Sequence, residues 1–366
     1  MTKHISPTLR KWLPPVLVPL LLILLFHGVK GNTRWMDLWV NGVMAPLEQA
    51  LGRLWSLLPW FSVAELLTAS ALTAGVVWLL RAVYLLIRQR CPKAFGRRML
   101  ALAVCLLWLW AGLCWMWNAA YYAPSFTEKS GLNTAPYSVE RLAQVTELFA
   151  REAARLSDQV PRDSEGHFAA QRQDLFSTGT GIYVEISRKF PCLEMESVAV
   201  KPIFFSRLQS ILGFTGVYFP FTGEANVNID APLCMLPATI AHEMAHQRMV
   251  ASEDEANFVG IAASVTSSST VFQYSGYLFG LIHLCNALCP VAPDTWTEIV
   301  QTCFTPEMVT DWNDNNAYWD ALSSPAEDAA GQVYDTFLKG NDQPLGLNSY
   351  GACVDLLVAY FGQQAQ

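Results

Sequence analysis

Residues 236–246 read Leu-Pro-Ala-Thr-Ile-Ala-His-Glu-Met-Ala-His, an apolar stretch that ends in the pattern His-Glu-x-x-His (HExxH). On a helix, side chains four residues apart lie on one face, so the imidazoles of His242 and His246 can point at one ion. Zinc (Zn2+) accepts neutral imidazole nitrogen and prefers a tetrahedral shell. Glu243 projects from the next position round the helix, where it can act as general base toward a water that the metal activates. The motif predicts metal-assisted hydrolysis, usually of a peptide bond.

The simpler interpretation of the motif is a surface helix that carries two histidines and a glutamate by chance. The neighbouring residues argue against it, because they are apolar and predict a buried helix: Ile240, Ala241, Met244 and Ala245. Burying two imidazoles and a carboxylate without partners is costly, so such a group needs a compensating interaction. A metal ion supplies one, and the sequence therefore favours a metal site.

A zinc hydrolase site needs a third protein ligand and an open fourth position. No His-x-x-Gly-x-x-His extension follows the motif, but Ser252 and Glu255 form the S-x-x-E pattern of a capping box, which predicts a second helix. Glu253 lies in the first turn of that helix, with Asn257 one turn later on the same face. We expect Glu253 to bind the metal and Asn257 to orient a ligating histidine. The alternative metal ligand is Glu255, which would leave Glu253 exposed.

The pattern Glu253-x-x-Ala256-Asn257 after HExxH resembles the second helix, Glu-x-x-Ala-Asp/Asn, of gluzincin metallopeptidases. Together with residues 221–228 (Phe-Thr-Gly-Glu-Ala-Asn-Val-Asn) and 274–277 (Tyr-Ser-Gly-Tyr), it is similar to an uncharacterised bacterial family of membrane-anchored zinc metallopeptidases, a domain of unknown function. The resemblance covers most of the chain and supplies no substrate. It implies a zincin-like α+β domain in which Glu253 is the ligand; Asn257 stands where the gluzincin pattern usually has aspartate.

Charge and hydropathy divide the chain near residue 120. Residues 1–120 carry 12 Lys and Arg against 3 Asp and Glu, whereas residues 121–366 carry 12 against 28. Three apolar stretches, at about 12–29, 61–87 and 99–119, are each near the roughly 20 residues that a membrane-spanning helix needs. We expect a membrane region of three transmembrane helices at 1–120 and an extracytoplasmic domain at 121–366.

Basic residues beside the apolar stretches predict the orientation. Lys3, Arg10 and Lys11 precede the first stretch, and five Lys and Arg residues lie between 88 and 98. Such clusters stay in the cytoplasm, which places the N-terminus inside and the C-terminal domain outside. A cleaved signal peptide is the alternative for the first stretch, but no small-x-small cleavage site follows its long apolar core. Residues 32–59 are then external, either along the membrane surface or packed as a loop.

The predicted outer domain is acidic, which argues against a nucleic-acid partner. Its six cysteines permit disulfides outside the cytoplasm, with 15 pairings among them: Cys192, Cys234, Cys285, Cys289, Cys303 and Cys353.

The outer domain reads as mostly α with a small β-sheet. Residues 216–228 are rich in aromatic and β-branched residues with Gly and Pro interruptions, which predicts an irregular edge strand or hairpin. Such an edge can bind an extended peptide through its backbone. Tyr274 or Tyr277 can donate a hydrogen bond to the oxyanion of a tetrahedral intermediate, although most aromatic residues in such a segment belong to the core.

These observations predict a membrane-anchored zinc metallopeptidase, a hydrolase whose partners are the lipid bilayer and a peptide or protein substrate. The alternative is a membrane sensor or scaffold with a structural or vestigial zinc site. Glu243 distinguishes the two, because a structural site has no use for a carboxylate beside an open coordination position. An intramembrane protease is disfavoured, since the motif lies more than 120 residues beyond the third apolar stretch.

Overall fold

The computed structural model describes residues 7–58, 60–132, 134–343 and 350–364. The chain is mostly helical with a small sheet, as the sequence predicts. The helices are α1 (Pro7–Val29), α2 (Thr33–Trp39), α3 (Ala45–Trp55), α4 (Val63–Ile87), α5 (Pro92–Met116), α6 (Phe126–Ser130), α7 (Val139–Ser157), α8 (Arg172–Gly179), α9 (Val184–Lys189), α10 (Ser206–Ile211), α11 (Leu236–Gln247), α12 (Glu253–Thr266), α13 (Thr270–Leu288), α14 (Pro293–Cys303), α15 (Pro306–Asp320), α16 (Pro325–Gly340) and α17 (Tyr350–Phe361). The strands are β1 (Lys201–Pro202), β2 (Gly216–Phe219) and β3 (Glu224–Val227).

Contacts divide the chain into two compact units. The first comprises Met1–Pro46 and Val63–Ala123, and the second comprises Leu47–Ser62 and Pro124–Gln366. The second unit therefore includes a segment from within the predicted membrane region. The observed boundary differs from the predicted one at residue 120. The reason is that residues about 150 positions later in the chain make the contacts that hold this segment.

The first unit contains three helices that are long and apolar enough to cross a membrane, at Trp12–Val29, Val63–Ile87 and Pro92–Met116. The first two match the predicted stretches closely. The third begins and ends earlier than the predicted 99–119, because Pro92 starts the helix before the apolar run and its first turns carry the basic residues.

A proline in α1 shows how the first unit accommodates a helix interruption. Pro19 has no backbone N–H, so it leaves the carbonyl of Pro15 without its helical donor. The indole Nε1 of Trp108, on α5, donates to that carbonyl at 3.0 Å. In a bilayer an unpaired carbonyl would cost several kcal/mol, so this bond makes the proline compatible with a spanning helix.

The second unit is built around α11, α12 and α13, which pack on one another, with α7 and α17 against α13. Within the described residues the sheet has the order β1-β3-β2, with β1 parallel and β2 antiparallel to β3. Every residue of β3 is buried, and the strand packs on α11. Residues 216–228 thus form a hairpin with β2 at the sheet edge, beside the helix that carries HExxH.

All nine cysteines lie in the described part of the chain, and each is a free thiol. The six in residues 121–366 therefore form no disulfide in this structure. Cys234, Cys285 and Cys353 are buried, so packing rather than cross-linking accounts for their positions.

Candidate metal centre

The HExxH residues occupy the last turns of α11, as the spacing predicts. His242 and His246 lie on one face with their ring centroids 4.8 Å apart. Glu243 is buried, with 3% of its surface exposed, and His246 is buried at 5%. The helix thus buries one imidazole and one carboxylate, whereas His242 is partly exposed.

The end of α11 orients His246. Two bonds close the helix, from the N–H of Met249 to the carbonyl of His246 and from the N–H of Val250 to that of Ala245. Met249 takes the left-handed conformation, with φ 62°. The turn brings the carbonyl of Val250 to 2.7 Å from Nδ1 of His246. A proton on Nδ1 then leaves Nε2 with a lone pair for a metal.

Helix α12 crosses α11 at Gly260. A Cβ atom at this position would lie 2.8 Å from the backbone nitrogen of His242, so only glycine allows the two helix backbones to come this close. The close crossing places Glu253, the first residue of α12, opposite both histidines.

The side chains of His242, His246 and Glu253 form a group of potential metal ligands whose ligand atoms lie within 4.8 Å of one another. His242 Nε2 lies 3.3 Å from Glu253 Oε2, and His246 Nε2 lies 3.8 Å from Glu253 Oε1. Two tetrahedral zinc ligands, each about 2 Å from the metal, are about 3.3 Å apart. The donor types suit a zinc ion, and the His242–Glu253 distance matches this spacing.

Glu243 faces the sheet. A Cβ atom on Gly216, the first residue of β2, would lie 2.4 Å from Glu243 Oε1, so the edge strand begins directly against this carboxylate. Its Oε2 is buried without a hydrogen-bond partner among the described residues. A buried carboxylate with an unused oxygen is placed to accept a proton from a molecule entering the site.

The ionisation of the group is set by burial and by its own charges. Burial raises the pKa of Glu243 to about 8. Burial lowers the pKa of His246 to about 4, which keeps its imidazole neutral. Burial opposes ionisation of Glu253, but the hydrogen bond with His242 and the nearby imidazoles outweigh it and lower the pKa of Glu253 to about 2. Burial likewise disfavours charged His242, yet the interactions with Glu253 raise its pKa. Glu253 is thus anionic and attracts a cation.

Tyr334 on α16 is a site residue that the sequence analysis missed. Its hydroxyl donates to Glu253 Oε1. It lies 81 positions after that glutamate, in a helix with no motif, so the only signal was a tyrosine on an amphipathic helix.

The two predicted tyrosines lie elsewhere. Tyr274 is buried, donates to Asp311 and stacks on Phe168. Tyr277 packs edge-on against Phe149, with ring centroids 5.1 Å apart. In the described residues, neither tyrosine contacts the metal-ligand group. Both pack between α13 and the elements next to it, because α13 is apolar on most of its surface. The structure therefore does not place Tyr274 or Tyr277 at the metal-ligand group, whereas Tyr334 contacts it through Glu253.

Glu255 is not among the grouped ligands. Its carboxylate accepts hydrogen bonds from the N–H of Phe126 and the N–H and hydroxyl of Thr127, at the start of α6. Ser252 is the N-cap of α12 but makes no side-chain capping bond, so the predicted capping box is absent. Glu255 therefore pairs with the free N–H groups at the start of α6 and not with those at the start of α12.

Asn257 is half-buried one turn after Glu253, on the side of His242, and its side chain helps to raise the pKa of that histidine. Among the described residues, His242 Nδ1 itself makes no hydrogen bond. Asn257 therefore lies close to His242, and its role in orienting that histidine stays a prediction.

No curated protein and no solved structure matches the chain. Residues 39–358 match the family described as "Protein of unknown function (DUF3810)". That match covers most of the chain, including two of the three apolar helices and the whole metal-ligand group, and the chain belongs to the DUF3810 family of proteins of unknown function.

Proposed function

We propose that the chain is a membrane-anchored zinc metallopeptidase with a zincin-like catalytic domain. The observation that carries the proposal is the convergence of His242 Nε2, His246 Nε2 and the Glu253 carboxylate, with Glu243 unpaired beside them. Three protein ligands and an adjacent buried carboxylate are the composition of a catalytic rather than a structural zinc site.

His242, His246 and Glu253 would hold the ion. When bound, zinc would act as a Lewis acid that polarises a carbonyl and activates a water. Glu243 takes a proton from the attacking water and passes it to the leaving amine. Positive charge in the site would lower the pKa of Glu243 from about 8, which favours its basic form at neutral pH.

Strand β2 is the proposed substrate-binding edge. It has a neighbouring strand on one side only among the described residues, and it begins at Gly216, against Glu243. An extended peptide added to this edge would bring a backbone amide next to the general base. Because this edge would recognise the backbone of the peptide, it does not predict which side chains the substrate carries.

Tyr334 is the proposed oxyanion donor. Changing Tyr334 to phenylalanine removes the hydroxyl at Glu253 and keeps the ring, which packs edge-on against Phe214 with centroids 5.8 Å apart. We expect kcat measured at saturating zinc to fall about 10²-fold, because loss of one oxyanion donor typically costs about 10²–10³. Tyr274→Phe is the matched control, since it removes a buried hydroxyl from the same unit and should leave kcat near the wild-type value. A kcat loss in Tyr274→Phe but not in Tyr334→Phe would reverse the assignment.

The proposed topology places the N-terminus in the cytoplasm and residues 121–366 outside. The basic cluster between residues 88 and 98 and the three apolar helices support it. A reporter active only outside the cytoplasm, fused after residue 366, should be active, whereas the same reporter fused at residue 90 should be silent. The reverse pattern would contradict the topology.

A sensor or scaffold with a structural zinc is the second candidate. The family match over residues 39–358 includes two of the three apolar helices and the metal-ligand group. This suits a protein in which metal binding and the membrane helices act together. The unpaired Glu243 favours the peptidase.

The experiment that tests the function is cleavage of a fluorogenic peptide library by the purified full chain. We expect cleavage that a chelator abolishes and added zinc restores. Cleavage that survives complete removal of zinc would contradict the proposal, as would a zinc-loaded protein that cleaves none of the library.

A further inference from the structure

The segment Leu47–Ser62 joins two helices of the first unit but packs within the second. It holds the greater part of α3 and the turn that follows. Each strand of the three-stranded sheet receives a polar contact from it, through Lys201 on β1, Tyr218 on β2 and Asn226 on β3.

Lys201 anchors the end of the segment. Its side chain is completely buried, and its ammonium donates to the backbone carbonyls of Trp55 at 2.7 Å, Leu58 at 2.6 Å and Phe61 at 3.0 Å. The three donors of the ammonium thus meet the carbonyls that follow the end of α3, where a cation is favoured. Glu224 Oε1, on β3, lies 3.3 Å from the same nitrogen and balances its charge.

Glu48 connects α3 to the edge strand. It is fully buried, and the hydroxyl of Tyr218 donates to its Oε2 at 2.6 Å. Burial raises the pKa of Glu48 to about 9, so the carboxyl is neutral near pH 7. The backbone of α3 also touches the β2–β3 turn: a Cβ atom on Gly223 would lie 1.9 Å from the Glu48 carbonyl oxygen.

The two ends of β2 have different neighbours. Gly216 meets Glu243, and Tyr218 meets Glu48. Residues two apart on a strand face the same side and are roughly 7 Å apart. The position of α3 therefore sets how β2 lies beside the general base.

We propose that Leu47–Ser62 is a positioning element of the active site, in which Glu48 holds the edge strand against Glu243 through Tyr218 and Lys201 fixes the segment to the sheet. The chain between the first two apolar helices thereby controls the strand that receives substrate. This inference rests on the proposed function for its catalytic consequence, but its structural claim can be tested without any substrate.

The test uses the purified full chain in three variants. Tyr218→Phe removes only the hydroxyl, Glu48→Ala removes the acceptor, and Glu48→Gln keeps a neutral acceptor of the same size. Tyr137→Phe is the control, because it breaks a tyrosine–carboxylate bond, to Asp355 at 2.8 Å, away from the sheet. Hydrogen exchange by mass spectrometry measures the amides of β2, and zinc content is measured in parallel.

Tyr218→Phe should increase amide exchange in β2 roughly three- to tenfold, as expected for loss of one hydrogen bond, with zinc content unchanged. Glu48→Gln should exchange like wild type, and Tyr137→Phe should leave β2 unaffected. Unchanged exchange in both Tyr218→Phe and Glu48→Ala would overturn the proposal. So would an equal increase across α11 and α13 in Tyr218→Phe, because that indicates a loss of global stability instead of a local release.

The catalytic readout is the split between KM and kcat on a peptide that wild type cleaves. Tyr218→Phe should raise KM several-fold with kcat within about twofold, because β2 binds substrate and does not move protons. A fall in kcat at constant KM would overturn the positioning role. If wild type cleaves no peptide, the proposed function fails, and the exchange experiment still decides whether the segment positions β2.

Discussion

Replacing Glu243 with glutamine is expected to lower peptide cleavage by about 10²–10⁴ while zinc content stays at the wild-type level. Glutamine cannot take a proton from the attacking water. It has the same shape as glutamate, so it leaves no cavity beside Gly216, and an uncharged group suits a site in which burial raises the pKa of Glu243 to about 8. The fold should therefore be retained, and cleavage rate and zinc content can be measured on the same preparation.

Glu147→Gln is the matched control for Glu243→Gln. Glu147 is partly exposed on α7, where it pairs with Arg151, and its replacement should change neither cleavage nor zinc content. If Glu243→Gln cleaved as fast as wild type, the peptidase mechanism would fail. The sensor or scaffold with a structural zinc would then be the better account.

Changing His242 or His246 to alanine is expected to abolish stoichiometric zinc. Each histidine contributes one of only three protein ligands, so the loss of zinc affinity should exceed the roughly 10–100-fold that follows loss of an outer hydrogen-bonding partner. Glu253→Gln should weaken zinc strongly as well, because it removes the negative charge between the two imidazoles. Elemental analysis after dialysis measures the bound zinc.

Glu255→Gln is the matched comparison for Glu253→Gln, two positions away on the same helix. We expect it to keep zinc but to lower the melting temperature, because its carboxylate accepts the N–H groups of Phe126 and Thr127. Loss of zinc in Glu255→Gln with retention in Glu253→Gln would show that the third ligand is assigned wrongly.

The local part of the candidate site was predictable from the sequence. The four-residue spacing of His242 and His246 determines their common face on any helix, and Glu253 follows from the start of the next helix. Tyr334 was not predictable, because its approach to Glu253 depends on how α16 packs and no local pattern marks it. Tyr274 and Tyr277 lie in an apolar helix, and its sequence does not predict the direction in which each side chain points.

The fold, like the site, was predictable from the sequence only in part. Hydropathy predicts the three long apolar helices because a bilayer imposes a minimum length. The placement of Leu47–Ser62 was not predictable, since it depends on Lys201 and Tyr218 meeting residues about 150 positions earlier in the chain. Glu255 shows the same limit: its spacing from Ser252 suits a capping box, yet its partners are at α6.

The most direct test of the central claim is X-ray absorption spectroscopy at the zinc edge on the purified, zinc-loaded full chain. We expect a first shell of about four nitrogen and oxygen ligands near 2.0–2.1 Å, with the outer-shell signal of two imidazoles and no sulfur. Such a shell matches His242, His246, Glu253 and one exchangeable position. A shell containing thiolate sulfur at about 2.3 Å, or a chain that binds no zinc, would contradict the account.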